Sequence, residues 1–277
     1  MAPSRGPIGI FDSGVGGLTV VRRLLELCPG HPMVYFGDTA RVPYGTKSPE
    51  TIQRYAVENT EFLLQFEPSL IVVACNSVSA LALDPVRETA GQIPVFGVIE
   101  PGAELAASLT KNKRVGVIGT SATVSSGAYD RAILARDPAI HVYSKACPLF
   151  VPFAEEGLFD HRATELIAKE YLHSLLVHDI DTLVLGCTHY PLLKEVIQKT
   201  VGHKVTIVDS GQAVAAQIHR HFGDSPSQDA VLPDIYVSDL PSRFQRTAEL
   251  FLGMQLNEPK KASVSSEAVG DKKQKRS

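Results

Sequence analysis

The sequence predicts an α/β fold: two similar units with mostly parallel sheets, related by a pseudo-twofold axis, with an active-site cleft between them. Three observations lead there. Short apolar or β-branched runs alternate with longer segments of helical period, the pattern of parallel strands joined by helices. Pro, Gly, Asn or Asp residues bound most of these segments. The two halves of the chain also lie over each other. IGIFDSG from Ile8 matches VGVIGTS from Val115 at an offset of 107 residues, and MVYF from Met33 matches IHVY from Ile140 at the same offset. LIVVACNS from Leu70 matches TLVLGCTH from Thr182, where Cys75 falls on Cys187 at an offset of 112. A drift of five residues is what loop insertion produces.

Taken in order, strands are expected at 8–11, 33–36, 70–74 and 94–98, with helices at 19–28, 48–66 and 79–90 between them. The second set of strands is expected at 114–118, 140–143, 182–185 and 204–208, with helices at 163–176 and 190–200. Beyond these the repeat stops. A helix at 211–222, a short strand at 234–237 and a helix at 241–252 form a return segment. The expected organisation is a first unit of 1–98 with 209–252, a second unit of 99–208, and a tail of 253–277. That tail is poor in apolar residues and rich in Lys, Ser and Glu, so it is expected to be disordered.

Composition narrows the class. The chain has 277 residues, 44% hydrophobic and 21% charged, with no apolar run near the roughly 20 residues that a bilayer-spanning helix needs. No membrane partner is expected. The start, MAPSRGPIGIF, has neither an extended apolar region nor a small-residue cleavage site, so a secretory signal is not expected and the cytoplasm is. The formal charge of −3 is uneven. Residues 258–277 hold six basic and three acidic side chains, leaving 21 basic against 27 acidic in the preceding chain. An acidic body argues against a nucleic-acid scaffold. Four scattered cysteines, Cys28, Cys75, Cys147 and Cys187, do not make a disulfide framework.

In open α/β sheets, ligands bind beyond the carboxyl ends of the strands. The polar residues there are Asp12 and Ser13, Asp38, Asn76 and Ser77 after Cys75, Thr120 and Ser121, and Thr188 and His189 after Cys187. Two thiols on equivalent strands can approach one cleft from opposite sides. That suits inversion of a stereocentre, which needs a base on one face of a carbon and an acid on the other. Each of the two is followed by polar residues and a helix, whose N-terminus would lower a thiol pKa and favour a carboxylate. Cys28 and Cys147 read as small buried apolar residues. The loop Asp12-Ser13-Gly14-Val15-Gly16-Gly17 lacks the third glycine of a dinucleotide fingerprint and the Gly-Lys-Ser/Thr ending of a phosphate loop. Its glycines let backbone amides approach a small anion. Asp12 is either a helix cap or a group that binds an amine or tunes a thiol. His189 with the thiols is also a partial zinc set, Cys-x-His.

Six stretches, IGIFDSGVGGLTV, YFGDTARVPYGTKS, VVACNSVSA, VIGTSATV, PLFVPFAEEG and LGCTHYPLL, occur in order over about 7–252. Together they resemble the glutamate racemase family. The resemblance implies cofactor-independent interconversion of L- and D-glutamate for peptidoglycan biosynthesis, with no metal. Cys75 would take the proton from the D-isomer and Cys187 from the L-isomer. Asp12, His189 and Glu155 would assist, with Asp38 a further supporting group. Substrate contacts are implied at Asp12, Ser13, Pro43, Tyr44, Gly45 and Asn76. Further contacts are implied at Ser77, Thr120, Thr123, Thr188 and His189. Ser77 stands where the family commonly has Thr, which keeps the hydroxyl and removes a methyl. The resemblance further implies a homodimer and, for some members, contact with DNA gyrase. No Lys lies in the strand-end motifs to carry pyridoxal phosphate, so charge must be stabilised by amides and hydroxyls in a closed cleft. The alternatives are an aspartate or hydantoin racemase, a binding protein that keeps an amino-acid cleft, and a thiolate metal site.

Overall fold

The computed structural model describes residues 6–223 and 231–264. A first sheet contains β1 (Ile8–Asp12), β2 (Met33–Gly37), β3 (Leu70–Val73) and β4 (Val95–Gly97) in the order β2-β1-β3-β4. A second contains β5 (Arg114–Gly119), β6 (His141–Ala146), β7 (Thr182–Gly186) and β8 (Thr206–Asp209) in the order β6-β5-β7-β8. Every pairing is parallel, and the order of the first four strands is repeated by the second four. β1, β2, β3 and β7 are buried along their whole length, which is why they read as continuous apolar runs. On the β2 side the first sheet continues with β9 (Asp234–Val237) and β10 (Lys260–Lys261).

Register corrects one part of the sequence alignment. Ile8 lies opposite Met33, whereas Val115 lies opposite Val142, so the counterpart of Met33 is Val142 and not Ile140. Residues 137–140 form a turn, in which the amides of Ala139 and Ile140 donate to Asp137, and the strand starts only after it. A slip of two residues keeps each side chain on its face of the sheet, so the apolar pattern could not reveal it. The third strands keep the expected offset, with Leu70 opposite Ile8 and Thr182 opposite Val115.

The helices are α1 (Leu18–Leu27), α2 (Pro49–Leu64), α3 (Asn76–Leu81), α4 (Leu83–Ala90), α5 (Ile99–Leu109) and α6 (Ser121–Ser125). They continue with α7 (Ala128–Arg136), α8 (Phe150–Glu155), α9 (Arg162–Leu176), α10 (Lys194–Val201), α11 (Ser210–Phe222) and α12 (Phe244–Leu252). The single helix expected at 79–90 is two, α3 and α4. Pro85 cannot donate to the Leu81 carbonyl and its ring would press on it, so one helix cannot run through. That carbonyl accepts instead from Gln53 Nε2 at 3.0 Å. Helices α5, α6, α7 and α8 were not anticipated; α6 and α8 are short, and α7 mixes apolar and charged residues without a clean stripe. α5 packs on α7, β7 and β8, and α11 lies against both α1 and α5.

The tail expected to be disordered from 253 is ordered as far as 264. Leu256 is buried, the Ala262 amide donates to the Val237 carbonyl at 2.8 Å, and Lys260 and Lys261 pair with Asp234 and Asp239. Low apolar content misled here because backbone pairing to an open sheet edge needs few apolar side chains. Residues 265–277 lie outside the described residues. The two ion pairs are exposed and contribute little, whereas a buried Leu contributes about 1.5–3 kcal/mol. At about 2–4 °C per kcal/mol for a chain of this size, truncation after Gly253 should therefore lower Tm by about 3–12 °C. A thermal melt unchanged by the truncation would contradict this packing.

Candidate active site

Parallel strands deliver their polar termini to one place. Cys75 follows β3 and occupies the residue before α3, its carbonyl accepting from the Ser79 amide at 2.9 Å. Cys187 follows β7 directly and leads into a 3-10 turn at Tyr190–Leu193, so only Cys75 has the α-helix N-terminus expected for both. The two thiols line one cavity of about 130 Å³. One water needs roughly 10–15 Å³ of such space, so the cavity holds about ten non-hydrogen atoms, the scale of one amino acid. Ser13, Asn76, Ser77, Thr120, Thr188 and His189 form its polar wall together with Glu155. Residues 42–46 and Pro148, Val151 and Pro152 supply the other side.

Of the four buried side-chain polar atoms that lack a partner among the described residues, two lie at or behind this cavity. The Asp12 carboxylate accepts from the Gly14 amide at 3.0 Å through Oδ2, and its Oδ1 is free. Asn76 Oδ1 accepts from the Tyr129 hydroxyl at 2.7 Å, and its Nδ2 is free. One spare acceptor and one spare donor, both out of water, are costly unless a ligand completes them.

The electrostatics differ at the two thiols. Burial, reinforced by the Asp12 charge, pushes the Cys75 thiol up to about 12, against the pull of the Val78 amide and the Ser13 hydroxyl. Cys75 therefore holds its proton at neutral pH. Cys187 Sγ instead lies 3.8 Å from His189 Nδ1, whose Nε2 lies 2.9 Å from Glu155 Oε1. Burial alone would lower the imidazole pKa, but its bonds to Cys187 and Glu155 outweigh that and raise it to about 10. Asp12 is raised by burial, opposed by the His189 charge and by the amides of Gly14, Gly17 and Ser13.

Most of the expected site residues line the cavity; Asp12, Thr123 and Asp38 do not. Asp12 and Thr123 are buried behind it. Thr123 acts through a hydroxyl cluster: Ser77 Oγ lies 2.9 Å from Thr120 Oγ1 and 3.3 Å from Thr123 Oγ1, joining the two halves of the chain. Tyr44 lines the cavity, but its hydroxyl is turned away to donate to Asp38 and accept from Asn59. Asp38 is likewise a structural group; it accepts from Arg41 Nε at 2.6 Å and Ser238 Oγ at 2.7 Å and does not line the cavity. Sequence reasoning missed Tyr129 and Tyr35, whose hydroxyl donates to the Gly14 carbonyl at 2.6 Å. It also missed Pro148, Val151 and Pro152, although PLFVPF was a visible signal.

Cys28 and Cys147 are buried and unbridged; burial pushes Cys28 up to about 11 and raises Cys147 as well. Among the described residues no group of three or more His, Cys, Asp or Glu side chains is placed to hold a metal ion. No described helix is long and apolar enough to cross a membrane.

A paired α/β architecture that brings a thiol from each sheet to one amino-acid-sized cavity defines an amino-acid racemase. The family model for Asp/Glu/Hydantoin racemase matches residues 8–218. A glutamate racemase of Chlorobium phaeobacteroides is 56% identical over 259 residues, 92% of this chain and 95% of that protein. The chain belongs to the Asp/Glu/Hydantoin racemase family. Among solved structures, the glutamate racemase of Francisella tularensis in complex with D-glutamate has a TM-score of 0.87 at 40% identity, covering 95% of this chain and 99% of that one. The Escherichia coli glutamate racemase in complex with L-glutamate and the activator UDP-MurNAc-ala has a TM-score of 0.78 at 29% identity, covering 94% and 100%.

Proposed function

We propose that this protein is a glutamate racemase that interconverts L- and D-glutamate by proton transfer between two thiols, without a cofactor. The observation that carries this reading is that Cys75 and Cys187, at matching strand ends, line one amino-acid-sized cavity. Relatives named glutamate racemase, and structures of such enzymes holding D- and L-glutamate, support the choice of substrate.

In this mechanism the substrate α-carboxylate accepts from Asn76 Nδ2, completing that spare donor, while the charge of Asp12, buried behind the wall, favours the substrate ammonium. With L-glutamate bound, Cys187 as thiolate removes the α-proton while His189 beside it stabilises the charge-separated state. The Cys75 thiol then delivers its proton to the opposite face. From D-glutamate the steps run in reverse, with Cys75 as base. Because the enantiomers have equal energy, kcat/KM must be the same in both directions at every pH. The unlike environments of the two thiols can therefore appear only in kcat and KM separately. Amides and hydroxyls around the carboxylate, Ser77 and Thr120 among them, stabilise charge developing there. Glu155 holds the imidazole through Nε2.

The physiological role that follows is supply of D-glutamate for peptidoglycan in the cytoplasm, by a homodimer. The test is turnover in D2O, read by chiral chromatography and mass spectrometry. L-glutamate should give D-glutamate carrying solvent deuterium at the α-carbon, and L-aspartate should be turned over at least tenfold more slowly, since one missing methylene changes discrimination by about 10–200-fold. Inversion without solvent deuterium would rule out the two-thiol route, and preference for aspartate would rule out the substrate.

A further inference from the structure

Beside the catalytic cavity lies a second cavity of about 300 Å³. Gly45, Thr46 and Ser121 line both, so the two adjoin across these residues. The second cavity lies between the turn at Tyr44–Thr46 and α6, one from each half of the chain. Among the described residues Lys47 is the one lysine or arginine on the wall of either cavity, and its ammonium makes no ion pair. Thr46 and Ser125 stand on the same wall, as does Ser126, whose hydroxyl is engaged by the Thr123 carbonyl and the Ala128 amide.

The catalytic cavity itself offers an anion little positive charge. Its imidazole is engaged by Glu155 and Cys187, and both Asp12 and Glu155 repel a carboxylate. A substrate with two carboxylates and one ammonium must nevertheless enter. We propose that the second cavity is an anion-binding vestibule through which glutamate reaches and leaves the thiols, with Lys47 as the cation that attracts and orients its carboxylate. This rests on the reading of glutamate as substrate. The backbone suits that role, because the Lys47 amide donates to the Tyr44 carbonyl at 3.0 Å and Tyr44 is fixed by Asp38 and Asn59. The backbone that carries Lys47 is thus fixed beside the cavity, while the apolar side chains of Leu81 and Ala122 suit the substrate methylenes. Lys47 touches no reacting atom, so it is a positioning residue.

The experiment compares kcat and KM for L-glutamate in the full chain and in Lys47→Ala, Lys47→Glu and Lys47→Arg, at low and high NaCl. Removing the charge should raise KM by about three- to tenfold with kcat changed less than about twofold. Lys47→Glu should raise KM further, and Lys47→Arg should stay near the wild type. Wild-type KM should rise with salt as the Debye length shortens, and that dependence should flatten in Lys47→Ala. Inorganic phosphate should compete with glutamate in the wild type and less well in Lys47→Ala. A wild-type KM indifferent to salt, an unchanged KM in Lys47→Ala, or a Lys47→Arg variant as impaired as Lys47→Ala would each overturn the proposal. A wild type inert toward glutamate would instead overturn the substrate reading.

Discussion

Cys75→Ala and Cys187→Ala should each lose racemisation by on the order of 10²–10⁴-fold, the range that a positioned acid or base contributes. Loss of activity alone would not distinguish two bases from one. Isotope exchange does. In Cys75→Ala, Cys187 remains beside His189 at 3.8 Å and can still remove the α-proton of L-glutamate. The only proton it can return goes to the same face, so in D2O L-glutamate should acquire deuterium without forming D-glutamate. Cys187→Ala should show the mirror result, exchanging D-glutamate with retention. Both sites are buried, yet each substitution removes a single sulfur, so fold should survive; circular dichroism and the Cys→Ser variants check this. Inversion within tenfold of the wild-type rate in either variant, or exchange of both enantiomers in both variants, would end the two-thiol mechanism.

His189→Asn should lower kcat/KM by roughly 10²-fold, equally in both directions. The imidazole stands between Cys187 and Glu155, and its pKa is raised to about 10 by those two contacts against the opposing effect of burial. Below that pH it is an imidazolium that stabilises negative charge on the sulfur. The wild-type kcat/KM should therefore fall on the alkaline side as His189 and the substrate ammonium each lose a proton, and the fall should be less steep in His189→Asn, where only the ammonium remains. Stability follows the same sign. A histidine whose folded pKa exceeds its unfolded value of about 6.5 stabilises fully below that value and loses its contribution as pH rises through the folded pKa. The stability advantage of the wild type over His189→Asn should thus shrink between about pH 6.5 and about pH 10. A pH-independent stability difference, or an alkaline fall equally steep in the variant, would contradict an imidazolium at His189. Glu155→Gln should have a smaller effect, because the Glu155 side chain is 40% exposed and water can replace it.

Much of this site is legible in the sequence, and the reason is specific. Parallel strands buried on both faces read as apolar runs, and the chain polarity of a parallel sheet puts the residues after every run at one edge. Asp12, Ser13, Cys75, Asn76, Thr120, Cys187, Thr188 and His189 follow from that rule alone. Glu155 does not; it reaches His189 from the end of α8, a helix with no clear periodic signal. Tyr129 is also invisible to it, since its hydroxyl meets Asn76 across 53 residues of chain. The tail was misread because composition reports apolar burial and says nothing of backbone groups that complete a sheet edge.

By itself, then, the order of residues determined the two parallel units, the matched strand ends and the matched cysteines, all consequences of local periodicity repeated along one chain. Only the tertiary structure decided what each polar group at those ends faces. Tyr44 turns its hydroxyl away from the cavity because Asp38 and Asn59 hold it, and Asp38 is itself occupied by Ser238, 200 residues away. The two thiols, equivalent by sequence, are made unlike by their surroundings: burial, reinforced by a carboxylate, raises one, and an imidazolium stands beside the other. Burial and charge act through space, and chain spacing does not encode which distant partners will supply them.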